Sequence, residues 1–161
     1  MGSKFKSAAR WRQKLEHPNT PLPKLTSIPP LWQKRMGKGT LVIAHPLDVD
    51  AQIRRVRQGR LLTQTQLRAR LAGKYNADQA CPLTTGIFVR IAAEAAEEDR
   101  RAGKKSITPY WRVIRDDGKL NEKLPGGAAG QARRLRAEGF AIERGKGKRP
   151  PRVRNFQKYV M

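Results

Sequence analysis

Ile107-Thr108-Pro109-Tyr110-Trp111-Arg112-Val113-Ile114, followed by Asp116-Asp117-Gly118, is the stretch on which the reading of this chain turns. Its apolar frame is too short for a helix, and Pro109 interrupts it. Asp116-Asp117-Gly118 reads as a turn, since glycine tolerates the backbone angles that turns demand. Tyr110 and Trp111 stand side by side within this frame. Aromatic rings so placed either stack on a nucleobase, as platforms do, or fill core. Neither is a reactive group at neutral pH: a phenol titrates near about 10, and an indole nitrogen only donates.

Outward from this segment, the charge is the loudest signal. The chain has 161 residues with 35 Lys and Arg against 13 Asp and Glu, a net charge of +22. That length suits one domain with a real core, and that charge calls for a polyanionic partner. Residues 1–40 hold nine basic residues and one acid, Glu16, and residues 144–161 hold seven basic residues and no acid. The reading is therefore a moderately basic domain, 39–143, between a Pro-containing basic arm, 1–38, and a basic tail, 144–161. Both arms suit sequence-independent phosphate contact. Cys81 is the single cysteine, so no intramolecular disulfide forms, and a reducing cytoplasm is the expected setting. His17 and His45 lack partners at ligand spacing, so neither a metal nor a cofactor is expected. No apolar run approaches the roughly 18 residues that a membrane span needs, and no lipidation motif appears, so no membrane partner is expected.

Along the chain, Ser7–Leu15 can form a short helix carrying Trp11, with Trp32 a second apolar anchor of an otherwise solvated arm. Thr40-Leu41-Val42-Ile43 is a short apolar run. Asp48 is the expected N-cap of a helix with Val49, Ile53 and Val56 inward, stopped by Gly59. Thr63 is the expected N-cap of the next helix, residues 64–72, with Leu67 and Leu71 inward and Gly73 as its stop. A long helix from about Leu83 to Ala102 follows, with Ile87, Val89, Ile91, Ala92, Ala95 and Ala96 as its apolar stripe. Glu94, Glu97, Glu98 and Asp99 form an acidic face expected to be solvated or paired with Arg100 and Arg101. A last helix spans Gln131–Glu138 with Leu135 inward and Gly139 ending it. Phe140-Ala141-Ile142 follows as a short strand, like the closing hairpin of a wing. The helix pair around residues 64–102 fits a helix-turn-helix, with a connection longer than usual.

In order and spacing these pieces resemble the DNA-binding domain of the alkylguanine-DNA alkyltransferases, over roughly residues 46–142. Pro109-Tyr110-Trp111-Arg112-Val113 is similar to that family's Pro-Cys-His-Arg-Val. Leu62-Thr63-Gln64-Thr65-Gln66-Leu67 resembles its entry into the helix-turn-helix. Pro125-Gly126-Gly127, Gln131, Leu135 and Glu138-Gly139 resemble its ending. The resemblance implies a mostly α, winged-helix-like helix-turn-helix domain of the alkyltransferase C-terminal type. It also implies a recognition helix in the minor groove, an intercalating arginine and a flipped base. Tyr110 stands where the family has its acceptor cysteine and Trp111 where it has the histidine, so alkyl transfer is not implied. The pattern is closest to the alkyltransferase-like proteins, which bind alkylated guanine without dealkylating it and hand it to excision repair. Their usual Pro-Trp-His-Arg keeps the histidine, which is Trp111 here.

The expected base pocket is Tyr110, Trp111 and Arg112, the last also able to tie loops beneath the site. The expected DNA contacts are Thr63, Gln64, Arg68, Thr84, Thr85, Gly86 and Arg90, with Arg90 standing in for the intercalating arginine. The expected function is a non-enzymatic, monomeric, nucleoid-associated protein that recognises alkylated or distorted bases in double-stranded DNA, with excision-repair proteins as further partners. The alternative is a general nucleic-acid binder, RNA included, that reuses the domain as a scaffold. A third reading is a transferase using Cys81, which lies before Pro82 at a helix start, where the helix dipole lowers a thiol's pKa.

Overall fold

The computed structural model describes residues 10–161. Its helices are α1 (Arg10–Glu16), α2 (Gln33–Met36), α3 (Pro46–Arg54), α4 (Gln64–Lys74), α5 (Pro82–Arg101) and α6 (Gly127–Ala137). Three small sheets join them. In the first, β2 (Thr40–Ile43) pairs antiparallel with β1 (Lys24–Ser27) and parallel with β4 (Gln79–Ala80). In the second, β3 (Leu62–Thr63) runs parallel to β5 (Val113–Ile114). The third is a hairpin of β6 (Ile142–Glu143) and β7 (Arg152–Val153). The architecture is helical with small sheets.

α5 is the central element, and α1 and α3 both pack against it. Its buried positions include Thr85, Val89, Ala92, Ala93, Ala95 and Ala96. Small residues on that stripe let α1 and α3 approach closely, and Leu15, Val49 and Ile53 fill the space between them. Val89, Ala92, Ala95 and Ala96 lie where helical spacing put them, but Ile87 is 48% exposed. It projects from the side of α5 opposite Val89, Ala92 and Ala96, because a 3.6-residue turn cannot place all six on one face.

The basic ends are folded in, which corrects the reading of 1–38 and 144–161 as solvated arms. Leu15 is 0% exposed, and the amides of Trp11 and Arg12 donate to Glu98 at 2.7 and 3.1 Å, capping the start of α1. Strand β1 extends the first sheet. At the other end Val153 and Phe156 are buried, and the Leu61 amide donates to the Tyr159 carbonyl at 2.9 Å. Charge and proline hid a few apolar residues at strand and helix spacing that suffice to dock each end. Of the expected Ser7–Leu15 helix, residues 7–9 lie outside the described residues.

Several element ends also differ. His45, not Asp48, is the N-cap of α3; its Nδ1 accepts from the Leu47 amide at 3.0 Å, while Asp48 closes the capping box from the third helical position. That helix ends at Arg54, well before Gly59. Thr63 is the N-cap of α4, with Gln66 completing its capping box. Gly73 lies inside α4, which runs to Lys74. The acidic residues Glu97, Glu98 and Asp99 are buried, an internal hub rather than a solvated face, and Glu97 pairs with Arg100 as expected.

The parallel pairing of Leu62 with Val113 and Thr63 with Ile114 lays the Pro109 segment beside the start of α4. Asp116 then reaches the Thr65 amide at 2.9 Å and its hydroxyl at 2.6 Å. Gly118 closes this turn at φ +85°, and a Cβ there would lie 2.4 Å from the Phe156 ring. Gln131 on α6 is buried and fully used. Its Oε1 accepts from the Asn121 amide at 2.8 Å, and its Nε2 donates to the Trp111 and Val113 carbonyls at 3.0 and 2.9 Å. One amide side chain thus fixes the Pro109 segment, the loop after it and α6 to each other.

Candidate nucleic-acid interface

The Pro109 segment opens as a short 3-10 turn, Tyr110–Arg112. Tyr110 is 2% exposed. Its hydroxyl donates to Glu97 Oε2 at 3.1 Å, and its ring meets Trp111 edge-on at 5.2 Å. Burial, and then the charge of Glu97, push its phenol up to about 12, against the opposing pull of Arg134. Tyr110 is therefore a protonated core residue, which corrects its placement as a base-pocket wall. Trp111 donates from Nε1 to Glu138 Oε2 at 2.7 Å. Arg112 forks onto both oxygens of Glu138 at 2.8 to 3.1 Å and donates to the Val56 carbonyl at 2.6 Å. Such a bidentate charge-assisted pair is a strong tie, and it binds the end of α6 to the Pro109 segment.

Trp111 and Arg112 do line a cavity, of about 550 Å³, with Arg54, Arg100, Lys104, Lys105 and Arg134 around it. Its cations are largely committed. Arg134 and Arg100 meet Glu97 at 2.9 and 2.8 Å, Arg54 meets Asp50 at 2.7 Å, and Lys104 meets Asp99 at 3.5 Å. Burial raises the Glu97 pKa, but the Arg100 hydrogen bond and the Arg134 charge outweigh it and hold the carboxyl below its usual range.

A second cavity, of about 430 Å³, gathers residues from four segments. Gln64 comes from α4, Leu83, Gly86, Ile87 and Arg90 from α5, and Arg115, Asn121 and Lys123 from the loop after β5; Trp11 and Lys14 of α1 complete it. Among the described residues, Lys14, Arg90, Arg115 and Lys123 enter no salt bridge. Lys14 and Arg90 flank the Trp11 ring at 4.7 and 5.8 Å from its centroid, a cation–π arrangement that holds them over an aromatic face. Acidic residues are absent from the described lining. Apolar walls, primary amides and uncommitted cations together suit a nucleobase whose flanking phosphates meet the rim.

The expected contacts thus divide. Gln64, Gly86 and Arg90 meet in this groove. Arg68 lies apart, lining a separate hollow with Leu31, Trp32, Arg35 and Met36 and donating to the Thr65 hydroxyl at 3.0 Å. Thr84 is half-buried on the first turn of α5. Thr63 and Thr85 are buried with occupied hydroxyls, the first accepting from the Gln66 amide at 3.2 Å and the second donating to the Cys81 carbonyl at 2.7 Å. That corrects both as direct DNA contacts. Cys81 is buried beside Ile28 and Leu41 and lines neither cavity. Arg115, Asn121 and Lys123 were missed. Their signal was position, since they flank the Asp116 turn that the β3–β5 pairing lays beside the start of α4.

No helix among the described residues is long and apolar enough to cross a membrane. No family model and no curated protein matches the sequence. Among solved structures, the chain is similar to S. pombe Atl1, determined in complex with damaged DNA containing O6-carboxymethylguanine, with a TM-score of 0.50 and 18% identity over 72% of this chain and 93% of that one. At that identity the likeness is one of fold.

Proposed function

We propose that this protein binds duplex DNA and reads alkylated or distorted bases without transferring the alkyl group. The observation that carries the proposal is the groove of Gln64, Gly86, Arg90, Arg115, Asn121 and Lys123, where unpaired cations border a mixed apolar and amide hollow. In this reading α4 and α5 act as the helix-turn-helix pair, with the β6–β7 hairpin as a wing, and Lys14, Arg90, Arg115 and Lys123 take phosphates. An unstacked base enters the hollow, where Gln64 and Asn121 offer both donors and acceptors to its edge. Extrusion is cheapest for a weakly paired base, which is how a lesion is preferred over normal sequence. The fold likeness to a protein solved on damaged DNA supports the reading.

The non-enzymatic part rests on Tyr110. A buried phenol held up to about 12 is protonated at neutral pH and offers no nucleophile. The Trp111 ring, bonded through Nε1 to Glu138, offers no proton acceptor.

Binding of one duplex with and without an O6-alkylguanine, each at two salt concentrations, tests the proposal. Tighter binding to the alkylated duplex at both, with a steep salt dependence, is the expected result. Equal affinity for the two would leave a general nucleic-acid binder, and transfer of label from the alkyl group to the protein would overturn the non-enzymatic reading.

A further inference from the structure

Between the end of α3 and the second half of α4 the chain builds a broad hollow of about 1230 Å³. Arg54, Arg55, Arg57, Arg60, Arg70 and Lys74 line it, and no acidic residue does. Arg54 and Lys74 are held by Asp50 and Asp48. Arg55, Arg57, Arg60 and Arg70 enter no salt bridge among the described residues. Residues 1–9, outside the described part, hold no Asp or Glu that could pair with them. Four unneutralised guanidinium groups repel one another, which a fold has no reason to gather unless an anion joins them.

The turn that carries three of these arginines is fixed from within. Val56 is 1% exposed, and its carbonyl accepts from Arg112 at 2.6 Å. The Arg60 amide donates to the Arg57 carbonyl at 3.0 Å, and Gly59 takes φ +83° between them. Arg55, Arg57 and Arg60 are therefore presented, exposed, from a backbone that binding need not order further. On α4 a step of about 100° per residue puts Gln64 and Arg68 on one side of the inward Leu67 and Leu71, and Arg70 and Lys74 on the other. The groove that holds Gln64 and the hollow that holds Arg70 share no lining residue.

We infer that this hollow is a second phosphate-backbone site, so that one molecule holds two duplex segments at once. A guanidinium fork takes two oxygens of one phosphate, and each such contact releases counterions from the DNA. Carboxylates of a protein would satisfy the same forks. The apolar lining, however, is Ala51 and Met161, too little for the desolvated core of a protein interface. The inference rests on the DNA reading above for the first duplex and adds a second.

Beads carrying one duplex, coated with the full chain and washed, are offered a fluorescent duplex of unrelated sequence. Wild type is expected to capture it, with capture falling steeply as salt rises. The triple variant Arg55→Gln, Arg57→Gln, Arg60→Gln is expected to coat the beads as wild type does and to capture about tenfold less or worse, having lost three phosphate contacts. All three side chains are exposed, so its circular dichroism and melting temperature are expected to match wild type. A charge-matched control, Lys34→Gln, Lys38→Gln, Lys146→Gln, removes three exposed cations elsewhere and is expected to capture as wild type does. Coated beads that capture nothing overturn the second site and leave the groove standing, whereas beads that stay uncoated overturn the DNA reading with it. Capture that survives in the triple variant, as when a dimer presents two grooves, overturns the second site. So does a triple variant that no longer coats the beads, which would make hollow and groove one surface. Equal loss in the control overturns it in favour of bulk charge, and capture of fluorescent polyglutamate in preference to duplex overturns it in favour of an acidic protein.

Discussion

Two cation-lined cavities sit at different ends of α5, and they differ in what their charges face. Around Trp111, Arg54, Arg100, Arg112, Arg134 and Lys104 each meet a carboxylate of Asp50, Glu97, Glu138 or Asp99. Around Gly86, Lys14, Arg90, Arg115 and Lys123 meet none among the described residues. A cation already bonded to a buried carboxylate gains little from a phosphate, because the first partner must be given up. An uncommitted cation gains the release of counterions from the DNA. Similar residue types therefore do opposite work: one cluster holds the fold together, and the other is open to a polyanion.

The sharpest way to break this contrast is to remove the hub of the first cluster. Glu97→Ala is expected to destabilise the fold by about 1–3 kcal/mol, because the buried Tyr110 hydroxyl loses its acceptor while Arg100 and Arg134, both partly exposed, regain water. Urea unfolding measures it, and a loss below about 1 kcal/mol would show that these ion pairs are no more than surface bridges. Leu15→Ala is expected to cost more, about 2–5 kcal/mol, as a fully buried truncation. A silent Leu15→Ala in the same assay would return residues 10–38 to a solvated arm.

The second cluster is expected to behave in reverse. Arg90→Ala and Lys123→Ala should each leave the unfolding curve within about 0.5 kcal/mol of wild type. Each should also reduce the slope of log affinity against log salt by about 0.9 on duplex DNA. Unchanged slopes in both would remove phosphate contact from this groove. Glu138→Gln is a useful contrast here, since it should weaken folding through Arg112 and Trp111 while leaving the slope alone.

The smallest effect is a titration. Tyr110 carries its pKa up to about 12 in the fold, above an unfolded value near about 10. Its contribution is therefore complete below about 10 and fades as pH rises through about 12. Tyr75, raised to about 12 by burial and by Asp48, acts in the same window. Tyr110→Phe should cost about 1 kcal/mol at neutral pH and flatten part of the alkaline decline. At the acid end Glu97 and Asp48 work with the opposite sign. Burial raises both, but Arg100 and Arg134 at Glu97, and Lys74 and Tyr75 at Asp48, bring each below its ordinary value. Their stabilisation is present above the unfolded carboxyl pKa and is lost as pH falls through the depressed one. Melting temperatures across pH test both limbs.

Much of the fold was legible from local pattern. Thr63 marked the start of α4, Val89, Ala92 and Ala96 marked the inward stripe of α5, and Leu135 with Gly139 marked α6. Each is a signal between residues a few positions apart. The candidate site was legible only in part. Gln64, Gly86 and Arg90 were named from the sequence, yet Ile87 was placed in the core stripe, and Arg115, Asn121 and Lys123 were passed over. What joins them is the parallel β3–β5 pairing across fifty residues of chain, which no local pattern expresses.

By itself the sequence determined the net charge of +22, the order of helices and the absence of a Cys–His pair at Tyr110-Trp111. Those follow from composition, periodicity and residue chemistry, all of them additive along the chain. Only the tertiary structure decided that the basic ends dock on the domain, that Glu97 and Glu138 neutralise the arginines around Trp111, and that the cations around Gly86 stay open. Whether a charge is free depends on which carboxylate packs beside it, and long-range packing alone sets that.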